Sequence, residues 1–349
     1  MPPEVQRALD QDMISHRSEE FSQLLREASA ELRDWLGTDG DVLVLTASGT
    51  GAMEAALVNV LSPGDRVLAV SVGVFGERFA SIARAHGADV TMLEFPLGEA
   101  VDPGVLAEAL AGDPGYRAVL VTHNETSTGV TNDLAAIAGV VKASGEGSPL
   151  LIVDAVSSLG ALEFRMDEWG CDVVVSCSQK AFMAPPGLSF VAMSPRAWKA
   201  NETAGMPRYY LDLGRAREYS EKGQTPFTPA ITVLYGLCRA LRMMAAEGRQ
   251  AVRERHREVG GVLRRGVLGL GMELLADGEH ASDTVTAVRI PSGWSADALV
   301  KGLSEEHDVF VAGGQGPLKG KIIRIGHMGY VDVEAAERVI EALRALLGG

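Results

Sequence analysis

Three stretches of this chain end or begin apolar segments on residues with useful chemistry. Leu151-Ile152-Val153-Asp154 closes on a carboxylate. Such a carboxylate either caps the following turn or pairs with a protonated ring nitrogen. The apolar run Cys171–Ser176 leads into Cys177-Ser178-Gln179-Lys180-Ala181-Phe182, with Met183-Ala184-Pro185-Pro186-Gly187 after it. A lysine so enclosed is either a snorkelling surface amine or a buried one, whose lowered pKa makes it nucleophilic toward a carbonyl. Thr46-Ala47-Ser48-Gly49-Thr50-Gly51-Ala52-Met53-Glu54 sets two glycines and several hydroxyls ahead of a helix. It reads as an N-capped helix after a tight turn or as a phosphate cradle, in which free N–H groups and the helix dipole meet the anion and glycine permits close approach. It does not complete a GxGxxG fingerprint, and no Gly-Lys-Ser/Thr follows as in a P-loop. Together, an anion cradle, a strand-end Asp and a strand-end Lys are what pyridoxal phosphate requires: a phosphate site, a pyridinium partner and a Schiff-base amine.

The elements that must position these residues follow from patterning. Strands are expected at Asp41–Leu45, Arg66–Val70, Asp89–Leu93, Ala118–Thr122, Leu150–Val153, Cys171–Ser176 and Leu188–Met193. Helical patterns lie between several of them, at Ala52–Leu61, Phe75–His86, Pro103–Ala111 and Leu134–Ala143. Alternation with continuous apolar strands predicts an α/β fold with a mostly parallel sheet and helices on both faces. Ligands in such sheets sit beyond the carboxyl ends of the strands, where the three stretches above fall. Asn201–Pro229 is polar and punctuated by Gly and Pro, and helices are expected at Ile231–Ala246 and Val252–Val267. The arginines of the latter, Arg253, Arg255, Arg257, Arg264 and Arg265, are expected to form a solvated face. Strands at Thr284–Ile290, Val309–Val311 and Ile322–Ile325, with helices at Ala296–Glu306 and Val333–Leu347, predict a smaller C-terminal α+β domain. The expected division is an N-terminal segment 1–16, a large cofactor-binding domain 17–240 and a small domain 241–349.

Composition narrows the function classes. Of 349 residues, 32 are Lys or Arg and 46 Asp or Glu, a net charge of −14 that disfavours a nucleic-acid partner. Hydrophobic residues make up 46%, too many for a disordered chain. Cys171, Cys177 and Cys238 form no CxxC pair, so neither a disulfide framework nor a structural metal is expected. No membrane span and no secretory leader is legible, and the expected compartment is the cytoplasm.

Further stretches carry a resemblance: Met13-Ile14-Ser15-His16-Arg17-Ser18, Ser48–Leu57, Gly73-Val74-Phe75-Gly76-Glu77-Arg78, His123-Asn124-Glu125-Thr126-Ser127-Thr128-Gly129-Val130, Val153–Gly160, Ser178-Gln179-Lys180-Ala181 with Ala184-Pro185-Pro186-Gly187, and Arg324-Ile325-Gly326-His327-Met328-Gly329. In these the sequence resembles the class V (fold type I) pyridoxal-phosphate aminotransferases, specifically the alanine/serine–glyoxylate aminotransferase group. The resemblance implies Lys180 as the Schiff-base lysine, Asp154 as the pyridinium partner, Val156 under the ring and Phe75 stacked on it. It implies that Ser48, Gly49, Thr50 and Gln179 hold the phosphate, that Thr126 lies near the phenolic oxygen, and that Arg324 grips the substrate carboxylate. It further implies a homodimer with shared active sites, in which a partner loop completes the phosphate site; Gln224–Pro229 fits that loop, with Thr228 the best candidate. The implied activity is ping-pong transfer of an amino group from alanine or serine to glyoxylate or pyruvate. A ureidoglycine–glyoxylate aminotransferase is the neighbouring alternative. One departure bears on substrate preference: the Gly-Pro segment usual just before the position of Pro2-Pro3 is not in this sequence, so either the true start lies upstream or part of the usual wall is lacking. Phe75 stands where some members have Trp, a change the site should tolerate.

Other readings stay open from sequence alone. A desulfurase or lyase on the same fold would need a reactive cysteine on a mobile loop, and the three cysteines lie in or beside apolar segments. Some similar proteins carry the label of a soluble hydrogenase subunit, which would make the chain a partner-binding module. His16 and His123 read as hydrogen-bonded structural residues, although His123, at a strand end, could line a site. Gly313–Lys321 reads as a flexible loop flanking Arg324.

Overall fold

The structure, a computed structural model, describes residues 1–113, 115–145 and 147–348. Its strands are β1 (Asp41–Leu45), β2 (Arg66–Ser71), β3 (Asp89–Glu94), β4 (Ala118–Thr122), β5 (Asn124–Glu125), β6 (Val130–Thr131), β7 (Leu150–Asp154), β8 (Val173–Cys177), β9 (Ser189–Met193), β10 (Val285–Arg289), β11 (Ala312–Gly313) and β12 (Ile322–Gly326). Seven of these form one sheet in the order β1-β9-β8-β7-β4-β2-β3. Only β9 runs against its neighbours, so the carboxyl ends of β1, β2, β4, β7 and β8 share one edge.

The sheet is covered on both faces, which is why its central strands are unbroken apolar runs. Every residue of β4, β7, β8 and β9 is buried. Leu43, Val67, Leu120, Ile152 and Val175 pack with Ala52, Met53, Leu57 and Phe79 of the Gly49–Val58 and Val74–Ala85 helices. Val42, Leu68, Val121, Val153 and Val174 face the other way, toward Phe21, Leu25 and Leu32 of the Glu19–Leu36 helix and Leu237 and Leu241 of the Ile231–Glu247 helix. The second sheet, β10-β12-β11, is antiparallel. It closes a separate apolar cluster with Val259 and Leu263 of the Arg249–Gly269 helix, Leu299 and Leu303 of Ala296–His307, and Leu343 of Val333–Leu347.

One expected strand is displaced. Val309–Val311 does not pair; Ala312 and Gly313 do, against Arg324 and Ile323. The Ala296–His307 helix ends on Asp308 in the left-handed region, φ 54°. The N–H of Val309 then closes that helix by donating to the Leu303 carbonyl at 2.9 Å, and Phe310 points to solvent. The expected helix at Ala52 begins three residues earlier, at Gly49, because Ser48 caps it through the Gly51 N–H. The polar stretch 201–229 contains a helix, Leu213–Ser220, capped by Asp212.

Candidate active site

The shared carboxyl edge gathers the residues singled out by sequence. Asp154 is the last residue of β7 and is 3% exposed. Its Oδ1 accepts the Val156 N–H at 2.9 Å. Burial pushes its carboxyl up to about 7, with Glu125 acting in the same direction and the charges of Arg78 and Lys180 opposing it. Those cations are therefore close enough to act on it.

Lys180 lies three residues past β8, on a turn pinned at both ends. Ser178 donates its hydroxyl to the Pro185 carbonyl at 2.6 Å, and the N–H of Met183 donates to the Lys180 carbonyl at 3.0 Å. Met183 adopts φ 59°, rare for a side chain of this size and typical of a backbone held by its surroundings. Gly329, φ +86°, closes on the same turn; a Cβ there would sit 3.2 Å from the Lys180 carbonyl oxygen. Lys180, Gln179, Met183 and Ala184 line a cavity of about 420 Å³ together with Met328 and Tyr330.

Ser48, Gly49 and Thr50 begin the helix after β1. Ser48 Oγ accepts the Gly51 N–H at 3.3 Å, so the capping and cradle readings hold together: the first helical N–H groups have no intrahelical acceptor. A Cβ on Gly49 would meet Val156 Cγ2 at 2.8 Å, so the bare backbone approaches the segment just after Asp154. Gln179 Oε1 is buried and finds no partner among the described residues.

Phe75 stands in the first turn of the Val74–Ala85 helix, with the Arg78 guanidinium 4.7 Å from its ring centre. Arg324, on β12, is half-buried. Its Nε donates to the Gly313 carbonyl at 3.0 Å and its Nη1 to the Thr126 carbonyl at 3.1 Å. No carboxylate among the described residues forms a salt bridge with it, so its charge is held in place by neutral acceptors and is open to an anion. Thr228 is exposed, beside Phe227, on a loop that packs against Thr46 and Tyr210 at the end of β1.

Sequence reasoning gave no role to Glu125. This carboxylate is fully buried and accepts the N–H groups of Phe75 (3.0 Å) and Gly76 (3.2 Å), and of Ser127 at 3.1 Å with the Ser127 hydroxyl at 2.6 Å. It is the side-chain cap that Gly73 cannot supply. An acidic residue inside a run of strand-end polar residues was its only visible signal. His123 stacks edge-on against Phe164 and Trp169 (5.5 and 6.3 Å), buried, its imidazole pushed down to about 4 by desolvation. All three cysteines are buried, and burial raises each thiol to about 12, which leaves no thiolate nucleophile near neutral pH.

A lysine, a buried carboxylate and an anion-accepting helix start on one sheet edge are matched by what the chain is similar to. The family model for class-V aminotransferases covers residues 5–337. The chain belongs to that family. A relative from Synechococcus sp. named soluble hydrogenase, small subunit, is 45% identical over 100% of this chain and 91% of its own length. The L-aspartate–glyoxylate aminotransferase of Paracoccus denitrificans is 41% identical over 94% of this chain and 84% of its own. The crystal structure of an alanine–glyoxylate aminotransferase from Nostoc sp. superposes with a TM-score of 0.94 at 33% identity, covering 99% of this chain and 92% of that one. The class-V aminotransferases use pyridoxal phosphate, and this chain's residues fit it. Gly49 leaves the backbone bare at the start of the helix, and Asp154 is a buried carboxylate that a ring cation would stabilise. Among the described residues no helix is long and apolar enough to cross a membrane, and no group of His, Cys, Asp and Glu could hold a metal ion.

Proposed function

We propose that this aminotransferase moves the amino group of a small amino acid, alanine or serine, to glyoxylate or pyruvate in two alternating half-reactions. Pyridoxal phosphate supplies the carrier for the amino group and the electron sink. Lys180 Nζ holds the cofactor and, once displaced, takes the substrate Cα proton and returns it. Asp154, otherwise driven toward its neutral form by burial, stays ionised opposite a protonated ring nitrogen and keeps that proton in place. Phe75 and Val156 would enclose the ring, Ser48, Gly49, Thr50 and Gln179 would hold the phosphate, and Thr126 would lie by the phenolic oxygen.

The observation that carries this reading is the Arg324 guanidinium: half-buried, oriented by two backbone carbonyls and, among the described residues, in no salt bridge, with the Glu125 charge acting on it without a direct contact. Every donor and acceptor in the proposed exchange has a carboxylate beside the reacting carbon, and a fixed planar fork binds it in two places. A dicarboxylic donor such as L-aspartate, which the Paracoccus relative's name specifies, would need a second cation beside Arg324. The loop carrying Thr228 of a second copy completes the phosphate site, so the active species is a homodimer. Support for this comes from exposed Tyr209 and Tyr210 packed on Phe227 next to Thr228. Initial rates with both substrates varied test the reading. Parallel double-reciprocal lines with alanine or serine as donor are expected; converging lines would reject alternation.

A further inference from the structure

Asn124 sits between β4 and the Glu125 cap, is 3% exposed, and uses its whole carboxamide. Nδ2 donates to Ser157 Oγ at 2.8 Å and to Thr284 Oγ1 at 3.0 Å. Oδ1 accepts the hydroxyls of Thr131 at 2.7 Å and Ser282 at 2.6 Å. The amide orientation is consistent with its neighbours. The Ser157 hydroxyl hydrogen is committed to the Asn124 carbonyl at 2.8 Å, so Ser157 Oγ can only accept from the side chain. Ser282 Oγ takes the Thr284 N–H at 3.0 Å, leaving its hydrogen for Asn124. Ser157, Ser282 and Thr284 are 5%, 1% and 0% exposed.

The partners of this one side chain come from segments that adjoin both sheets, after β7 and before β10, and from β6. Ser157 is three residues beyond Asp154. Ser282 and Thr284 lead directly into β10, where Ala287 pairs with Arg324 of β12. Two residues after Asn124, the Thr126 carbonyl holds the Arg324 guanidinium itself. The site's two halves, ring partner and carboxylate grip, lie on different sheets, and their separation is not set by either sheet alone.

We propose that Asn124 is a positioning residue that sets the register of Arg324 relative to Asp154, and so determines how well the substrate carboxylate and reacting carbon are placed at once. The proposal rests on the reading of Arg324 as the carboxylate grip. A buried polar node whose amide has all its donors and acceptors used favours one arrangement, and misplacement of a binding group by a fraction of an ångström is felt in binding before it is felt in folding. Asn124→Asp keeps the shape but puts a carboxylate oxygen in place of the NH2 group against Ser157 and Thr284, and the Ser157 hydrogen is already committed. Ser282→Ala removes one link while leaving the amide in place.

The test uses the cofactor-loaded enzyme and glycolate, a carboxylate with no amine to react. Its affinity is read from the visible spectrum, alongside KM and kcat for the amino donor, cofactor affinity and thermal midpoint. Asn124→Asp is expected to weaken glycolate about 10-fold or more and to raise donor KM in parallel, with cofactor affinity within about 2-fold of wild type. Ser282→Ala is expected to move the same two quantities by a smaller factor, which keeps the test open where the Asp variant folds poorly. If wild type binds glycolate and both variants bind it equally well, the positioning role is overturned and Arg324 keeps its own. If wild type fails to bind glycolate, the Arg324 reading falls and this proposal falls with it.

Discussion

Glu125 Oε2 accepts the backbone N–H of Phe75 at 3.0 Å, tying the residue proposed to stack on the cofactor to a buried carboxylate on a different strand end. The same oxygen takes the Gly76 N–H, and Oε1 is held by Ser127. Burial drives this carboxyl above its ordinary value, and four donors oppose that. The Val74–Ala85 helix therefore begins where Glu125 receives it, and Phe75 inherits its position from that contact. Glu125→Gln turns one acceptor into an NH2 group facing N–H donors. The expected loss is about 1–3 kcal/mol of stability, read by chemical denaturation, with weaker cofactor binding; an unchanged midpoint would show that the cap is dispensable.

Gly49 and Val156 are expected to behave as a pair. Gly49→Ala places a methyl 2.8 Å from Val156 Cγ2, and overpacking of about 1–3 kcal/mol follows. Cofactor affinity should fall about 10-fold. In Gly49→Ala/Val156→Ala part of that loss should return, because the clash is gone. Additive losses in a double-mutant cycle of cofactor affinity would rule the contact out.

The acid–base behaviour of Asp154 has a definite sign in the cofactor-free protein. Its carboxyl is held near 7 rather than at the ordinary 3.8. Between those values the folded state keeps a proton that the unfolded chain has released, so this contribution is fully present below about pH 4 and is lost as pH rises through about 7. At about 1.36 kcal/mol per tenfold, the window amounts to several kcal/mol. His123 and His327, lowered to about 4 and about 3, act in the opposite sense but are common to wild type and variant. The stability difference, wild type minus Asp154→Asn, should thus shrink from pH 5 to pH 7.5 without cofactor. A difference that stays constant would mean that Asp154 is ionised throughout.

Arg324→Lys retains the charge and loses the planar fork. KM for donor and acceptor should both rise, about 10- to 100-fold, with a smaller change in kcat. Steady-state kinetics on both half-reactions checks this, and a variant altered toward one substrate alone would contradict a shared carboxylate site.

The elements that carry Asp154 and Lys180 were legible because strands buried on both faces read as unbroken apolar runs. Ile152 and Val174 show it in both sequence and burial. Asp154 and Lys180 were legible because charged residues at the ends of such runs have little reason to be there other than chemistry or capping. The start of the Gly49–Val58 helix was misplaced because Gly-Thr-Gly is a weak helix former, and the Ser48 cap on the Gly51 N–H outweighs that propensity. Val309–Val311 has strand composition, but its first N–H is taken by the preceding helix. Glu125 and Asn124 were beyond reach for a different reason. Their meaning lies in partners up to 160 positions away, and no local pattern encodes a hydrogen-bond node assembled from four segments.

The central claim is an amino-group exchange at Lys180 between small amino acids and glyoxylate or pyruvate. Its most direct test is the visible spectrum of the pure cofactor-loaded protein on addition of L-alanine, L-serine or L-aspartate, followed by glyoxylate. Alanine or serine should abolish the absorbance of the lysine-bound cofactor, glyoxylate should restore it, and Lys180→Ala should never show it. A wild-type band that none of these donors shifts, or that only L-aspartate shifts, would contradict the account.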